Sequence, residues 1–167
     1  GITKAYTTRV GEGPFPTEQT NDIGEKLGNL GNEFGTVTGR KRRCGWLDLV
    51  LLKQSVIISG LKGLALTKLD VLDSFDIIRV CTSYKYNNKA YNYLPLGLDD
   101  LNQLSTEYIE LNGWKEKTKN KRKFSELPLN AKKYISFIEE FIGIPVTMLS
   151  TSPEREDTIL FQDPFEN

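Results

Sequence analysis

Histidine is missing from all 167 residues, and that absence removes more chemistry than any motif adds. Without imidazole the chain has no Ser-His or Cys-His pair and lacks the commonest general base. A self-contained hydrolase of that type is excluded. Cysteine is nearly as scarce. Cys44 and Cys81 make neither a disulfide framework nor a zinc site, and they point to a reducing, cytoplasmic setting. Net charge is also missing: 22 basic residues balance 22 acidic ones. A balanced chain has no whole-surface attraction to nucleic acid or membrane, so neither is an expected partner and any anion site must be local. Long apolar runs are absent too. The richest, Leu47 to Ile58, is interrupted by Asp48, Lys53 and Gln54 and is too short and polar to span a bilayer. No glycine-rich Walker-type phosphate loop occurs, and no carboxylate cluster marks a metal pair. The chain opens Gly1-Ile2-Thr3-Lys4, without a charged-then-apolar leader, which reads as a processed or excised piece lacking a signal peptide.

What is present suits one folded domain over residues 1–167. The hydrophobic fraction is 38% and the charged fraction 26%, enough for a real core. The pattern predicts a strand at 5–9, a proline-stiffened loop, and a short helix at 23–30 weakened by Gly24 and Gly28. A loop at 34–46 is followed by a buried helix ending at Gly60 and a strand at 64–69. A turn at 70–75 leads into an antiparallel hairpin of 76–86 and 89–94. Residues 98–104 read as helix and 106–112 as strand, and Lys115 to Lys123 as a solvated basic loop. Helical spacing over 129–142 groups Tyr134, Phe137, Ile138 and Phe141, with Asn130 as N-cap and Gly143 at the end. Strands at 145–149 and 158–161 close an α+β fold with a mixed sheet, an antiparallel hairpin and flanking helices.

Three stretches can carry chemistry. The first is Gly35-Thr36-Val37-Thr38-Gly39 followed by four consecutive cations, Arg40 to Arg43. Glycine allows close approach, and backbone N–H groups and hydroxyls suit a small anion. In an extended segment Arg40 and Arg42 share one side, two forks shaped for carboxylate or phosphate, with Lys41 and Arg43 opposite. An exposed basic loop without a ligand is the plain alternative. The second is Thr67-Lys68-Leu69-Asp70 at a strand end. A lysine stem can lie against a purine, and an aspartate can accept from guanine N1 and its 2-amino group. Asp70 can equally be the N-cap of the following turn. The third is Ser150-Thr151-Ser152-Pro153, either a nucleotide-contacting loop or simply a turn.

In order along the chain, "KAYTTRVGEGPFPTE" (Lys4 to Glu18), "GNEFGTVTGRKRRCGWLD" (Gly31 to Asp48), "LTKLDVLD" (Leu66 to Asp73) and the terminal "DPF" (Asp163 to Phe165) strongly resemble adenylosuccinate synthetase. The resemblance implies the C-terminal domain of a larger α/β GTP-dependent ligase. Such a ligase joins IMP to L-aspartate with GTP cleavage and magnesium, and is a homodimer. It implies that the phosphate loop, the catalytic aspartate and histidine, and most of the magnesium site lie in an N-terminal part not present here. No catalytic or metal residue is then expected in this chain, which alone should be inactive. It assigns Val10, Thr36, Val37, Thr38, Gly39, Arg40, Lys41 and Arg42 to aspartate and IMP. It assigns Arg42, Lys68, Leu69, Asp70, Ser150, Thr151 and Ser152 to GTP. Two residues depart from the family pattern: Val37 stands where threonine is common, and Ser152 where glycine is usual. The competing expectation is a stand-alone guanine-nucleotide-binding or interaction module.

Overall fold

The computed structural model describes residues 1–95 and 101–162. Its described residues fall into two compact units, each assembled from separate stretches. One comprises Gly1–Ala5, Ser55–Ile78 and Leu111 onward; the other comprises Tyr6–Gln54 and Arg79–Glu110.

The first unit is built on a four-stranded mixed sheet. Strands β1 (Ile2–Lys4), β5 (Leu64–Thr67) and β9 (Val146–Ser150) run parallel, and β10 (Thr158–Leu160) pairs antiparallel with β9. Leu64, Leu66 and Leu149 are fully buried, as a parallel strand covered by helix requires. Helix α3 (Leu129–Ile142) buries Ala131, Tyr134, Ile135, Ile138 and Ile142. Phe137 and Phe141 are only partly buried, so the expected four-residue stripe is rotated towards Ile135 and Ile142. Gly143 ends the helix at φ +79°, its N–H donating to Glu139 O at 2.8 Å. Asn130 does not cap. Pro128 precedes the helix, and the Asn130 amide donates instead to Gly113 O at 2.8 Å.

The second unit holds β2 (Thr7–Arg9), α1 (Asp22–Leu30), β3 (Arg43–Gly45), β4 (Leu47–Asp48), β6 (Ile77–Tyr86), β7 (Lys89–Tyr91) and β8 (Ser105–Asn112) for most of their length. Strands β2 and β3 form an antiparallel ribbon, while β4 joins β6 in parallel, and β6 also pairs with β7 and β8. The β6–β7 hairpin turns through Asn87 and Asn88, at φ 47° and 60°. Positive φ at both central residues gives the turn the twist that strands prefer, and asparagine tolerates it.

Several boundaries differ from the sequence pattern. The strand expected at 5–9 is only β2 (Thr7–Arg9), with Ala5 and Tyr6 a buried bend between it and β1 along the chain. Asn21 caps α1, its side-chain oxygen accepting from the N–H of Ile23 at 3.0 Å and of Gly24 at 3.4 Å. Helix α2 (Leu49–Ser59) starts two residues late, because Leu47 and Asp48 are held in the β6 ladder. It is also not wholly buried: Ile57 and Ile58 are 71% and 77% exposed. Leu101–Gln103 is a single 3-10 turn, with the rest of 98–104 partly outside the described residues. The "DPF" motif lies outside them as well.

Candidate functional site

The basic stretch folds as a closed hairpin. Phe34 and Lys41 bridge antiparallel. Gly35 N–H donates to Arg40 O at 2.8 Å, Gly39 N–H to Gly35 O at 2.8 Å, and Arg42 N–H to Glu33 O at 2.9 Å. Gly39 sits at φ +62°, with open space where a side chain would project, so conformation rather than room requires glycine there. Thr38 Oγ1 accepts from Arg40 N–H at 3.4 Å. Thr36, Val37 and Thr38 form an exposed tip, with Val37 97% exposed.

The four cations meet four different fates. Arg43 is locked: its Nε and Nη2 donate to the two oxygens of Glu18 at 2.8 and 2.5 Å, and Nη1 to Gly11 O and Gly13 O at 3.2 and 2.8 Å. It also lies over the Phe15 ring. One guanidinium thereby holds the glycine- and proline-rich loop in shape. Arg42 Nη1 donates to Glu33 Oε2 at 2.9 Å, and Tyr6 donates its hydroxyl to Glu33 Oε1 at 2.6 Å. Glu33 is fully buried. Arg42 Nε is buried and without a hydrogen-bond partner among the described residues. Lys41 makes an exposed, loose pair with Glu25 at 3.8 Å, worth little in water. Arg40 is exposed, and its guanidinium makes no hydrogen bond or ion pair among the described residues.

These side chains line a cleft of about 420 Å³. Arg9, Val10, Gly11 and Glu12 form part of its wall, and Gly35, Thr38 and Arg40 to Arg43 the rest. Val10, Thr38, Arg40, Lys41 and Arg42 thus line one cleft. Thr36, Val37 and Gly39 belong to the hairpin but not to the cleft wall. Lys41 and Arg43 line the same cleft as Arg40 and Arg42, so alternation along this arm of the hairpin does not separate the two pairs.

The second stretch lies in the other unit. Lys68 leaves β5 in the left-handed region, φ +60° and ψ 37°, a conformation uncommon for a lysine. It opens the turn Leu69–Leu72, so the cap position belongs to Lys68 and not to Asp70. Leu69 is fully buried. Asp70 is half-buried within the turn. Desolvation, then the neighbouring Asp73 charge, raises its carboxyl above the ordinary range, while its own amide, Lys119 and Lys68 pull it back.

The third stretch, Ser150 to Ser152, spends its hydroxyls internally. Ser150 Oγ donates to Ser152 O at 2.7 Å, and Thr151 Oγ1 bonds to Lys121 O and Asp157 O at 2.9 and 3.1 Å. Ser152 Oγ donates to Asp157 Oδ2 at 2.8 Å and accepts from Glu154 N–H at 3.0 Å. Hydrogen bonds from Ser152 and Arg122 hold the Asp157 carboxyl below the usual range, against the effect of its burial. The Ser152 hydroxyl is therefore turned into the protein.

The adenylosuccinate synthetase family profile matches residues 1–159. The chain belongs to the adenylosuccinate synthetase family. Its fold is also similar to that of a fully ligated adenylosuccinate synthetase from Plasmodium falciparum, with 38% identity and a TM-score of 0.87. That match covers 95% of this chain and 39% of the other, so the chain spans about two-fifths of the relative's length. The mixed α/β architecture is that of an adenylosuccinate synthetase fragment. No helix among the described residues is long and apolar enough to cross a membrane.

Sequence reasoning missed Glu33, Glu18 and Asp73. Each is a carboxylate whose cationic or hydroxyl partners lie between 9 and 45 residues away. Periodicity carries no signal for such pairs. Composition places Thr118 in a solvated run, yet it is fully buried.

Proposed function

We propose that this chain supplies the aspartate-binding and guanine-reading part of a GTP-dependent ligase that forms adenylosuccinate from IMP and L-aspartate, in the AMP branch of purine biosynthesis. GTP passes its terminal phosphoryl group to the 6-oxygen of IMP. The aspartate amine then attacks C6: a C–N bond forms, the C–O bond breaks, inorganic phosphate leaves and the amine loses a proton. The observation that carries the reading is the Arg40 guanidinium, left without a hydrogen bond or ion pair among the described residues in a cleft whose other four cations, Arg9, Lys41, Arg42 and Arg43, are already engaged.

Arg40 binds a carboxylate of aspartate, a charge-assisted contact worth roughly 1.5–3 kcal/mol. Thr36 and Thr38 offer hydroxyls from the same hairpin, and Val37 offers only backbone. Part of the binding energy goes into ordering the exposed tip. Arg42, fixed by Glu33, shapes the cleft, while Val10 lines the IMP side. This is catalysis by positioning rather than by proton transfer. At the base, Asp70 accepts from N1 and the 2-amino group, and the Lys68 stem lies along the purine face. Ser150 to Ser152 contribute backbone and shape, since their hydroxyls are occupied.

Magnesium neutralises phosphoryl charge when bound. Among the described residues no three acidic, histidine or cysteine side chains converge. Its ligands, like the phosphate loop and the catalytic aspartate and histidine, are assigned to polypeptide outside this chain. The same reading makes the full-length protein a cytoplasmic homodimer and this chain alone inactive. The test is product formation. The full-length protein, given IMP, L-aspartate, GTP and magnesium, should form adenylosuccinate with one phosphate released per product. It should form none when any substrate is omitted. A folded full-length protein that makes no adenylosuccinate overturns the reading.

A further inference from the structure

The basic segment after β8 is not a free loop. Asp73, at the end of the turn that carries Asp70, accepts three hydrogen bonds from it. Trp114 Nε1 and Thr118 Oγ1 donate to Oδ1 at 2.7 Å each, and Thr118 N–H donates to Oδ2 at 2.7 Å. Asp73 N–H in turn donates to Asp70 O at 3.2 Å, closing the turn. Thr118 is fully buried and Trp114 nearly so, with its ring 6.0 Å from that of Tyr134. Further along, Lys121 O accepts from Thr151 Oγ1, and Arg122 Nε donates to Asp157 Oδ1 at 3.0 Å. Three segments, those of Asp70, Thr118 and Thr151, are thereby joined into one hydrogen-bonded network.

We propose that Asp73 is a positioning residue for nucleobase selection: with Thr118 it fixes the segment Trp114–Arg122 as a third wall of the site that Asp70 reads. The proposal rests on the guanine-reading role given to Asp70 above. Physically, a run so rich in lysine repels itself and stays solvated unless something holds it. A single carboxylate accepting three short bonds does that, and hydrogen bonds to an ionised acceptor are about twice as strong as neutral ones. Fixing the segment also fixes Lys119, whose charge acts on both Asp70 and Asp157. Without it, Asp70 would face the like charge of Asp73 with one fewer opposing cation. The arrangement keeps an acceptor-only carboxylate at the turn, which the N1 and 2-amino donors of guanine require.

Steady-state kinetics of the full-length protein tests this, with GTP compared against ITP, which lacks the 2-amino group. Asp73→Asn should raise the KM for GTP about tenfold and lower the preference for GTP over ITP, leaving kcat and the KM for aspartate within about twofold. Thr118→Val, which removes one donor, should do the same about threefold, and serves if Asp73→Asn fails to fold. An unchanged GTP KM in a folded variant overturns the proposal. So do equal rises in the KM for GTP, IMP and aspartate, the mark of general loosening. Asp70→Asn is run in parallel. If it leaves the GTP preference intact, base reading itself fails. If it shifts the preference while Asp73→Asn and Thr118→Val do not, only the positioning claim fails.

Discussion

The hairpin around Arg40 and the loops around Asp70 are both polar, both irregular and both rich in lysine or arginine, yet they handle charge in opposite ways. In the hairpin, Arg43 and Arg42 are paired with Glu18 and Glu33, Lys41 is loosely paired, and Arg40 is left over. The paired cations set the shape of the cleft, and the remaining one is available to a ligand. Around Asp70 the hydroxyls and one cation, Arg122, fasten loops to one another: Thr118 to Asp73, Thr151 to Lys121, and Ser152 and Arg122 to Asp157. Among them lies the half-buried Asp70 carboxylate. A site for a small doubly charged acid needs a spare cation, whereas a site for a planar base needs a rigid slot with one placed acceptor.

The largest expected effect breaks the slot side of that contrast. Asp70→Asn replaces one acceptor oxygen with a donor, opposite donors on guanine. The preference for GTP over ITP should fall about a hundredfold or more, because a site built to pair a donor loses most when pairing fails. Competition kinetics with the two nucleotides checks it. Next in size is Glu33→Gln, which should separate shape from binding in the hairpin. It leaves Arg42 without its anion and weakens the acceptor for Tyr6, so thermal unfolding should show about 2 kcal/mol lost. The aspartate KM should move less than it does on loss of Arg40. Ser152→Gly is smaller again. It removes one hydroxyl from Asp157 and should cost about 1 kcal/mol in a urea titration. The nucleotide KM should change little, since that hydroxyl faces inward.

The smallest prediction concerns pH and sets Asp48 against Asp157. Asp48 is buried at the start of α2, accepting from Leu51 N–H at 3.0 Å and from the Tyr84 hydroxyl at 2.6 Å. Desolvation raises its carboxyl above the ordinary range, with the Tyr84 and backbone bonds only partly opposing. The folded form therefore takes a proton more readily than the unfolded chain. Stability from this group is present below the unfolded value of about 3.9 and is lost as pH rises through the folded value. Asp157 is the reverse: its contribution is present above that value and is lost as pH falls through its lowered one. Asp48→Asn retains an N-capping oxygen. Urea midpoints across the acid range should flatten on the side above about pH 3.9 for Asp48→Asn and below it for Asp157→Asn. Parallel curves for both variants would contradict the assignment.

How much of this was legible before the structure depends on the range of the interaction. The hairpin at β6–β7, helix α3 and the glycine stops at 60 and 143 follow from local pattern, and local physics decides them. The start of α2 did not follow, because a tertiary ladder with β6 takes Leu47 and Asp48 away from the helix. The cap of α3 was misplaced because Asn130 finds a better partner in Gly113 O. The cation-rich hairpin was visible as a candidate site from charge density alone. Which cation is spare was not, since that depends on Glu18, Glu25 and Glu33 folding back onto it. The segment Lys115 to Lys123 shows the same limit from the other side: composition reads it as solvated, and one remote aspartate makes it part of the framework.

The most direct measurement of the central claim is the aspartate KM of the full-length protein with Arg40 replaced, at saturating IMP and GTP. With Arg40→Leu it should rise about tenfold to a hundredfold, with the melting temperature unchanged, because no internal partner of Arg40 is lost. Arg40→Lys should recover part of the loss through charge without the fork. An aspartate KM equal to wild type in folded Arg40→Leu protein would contradict the account.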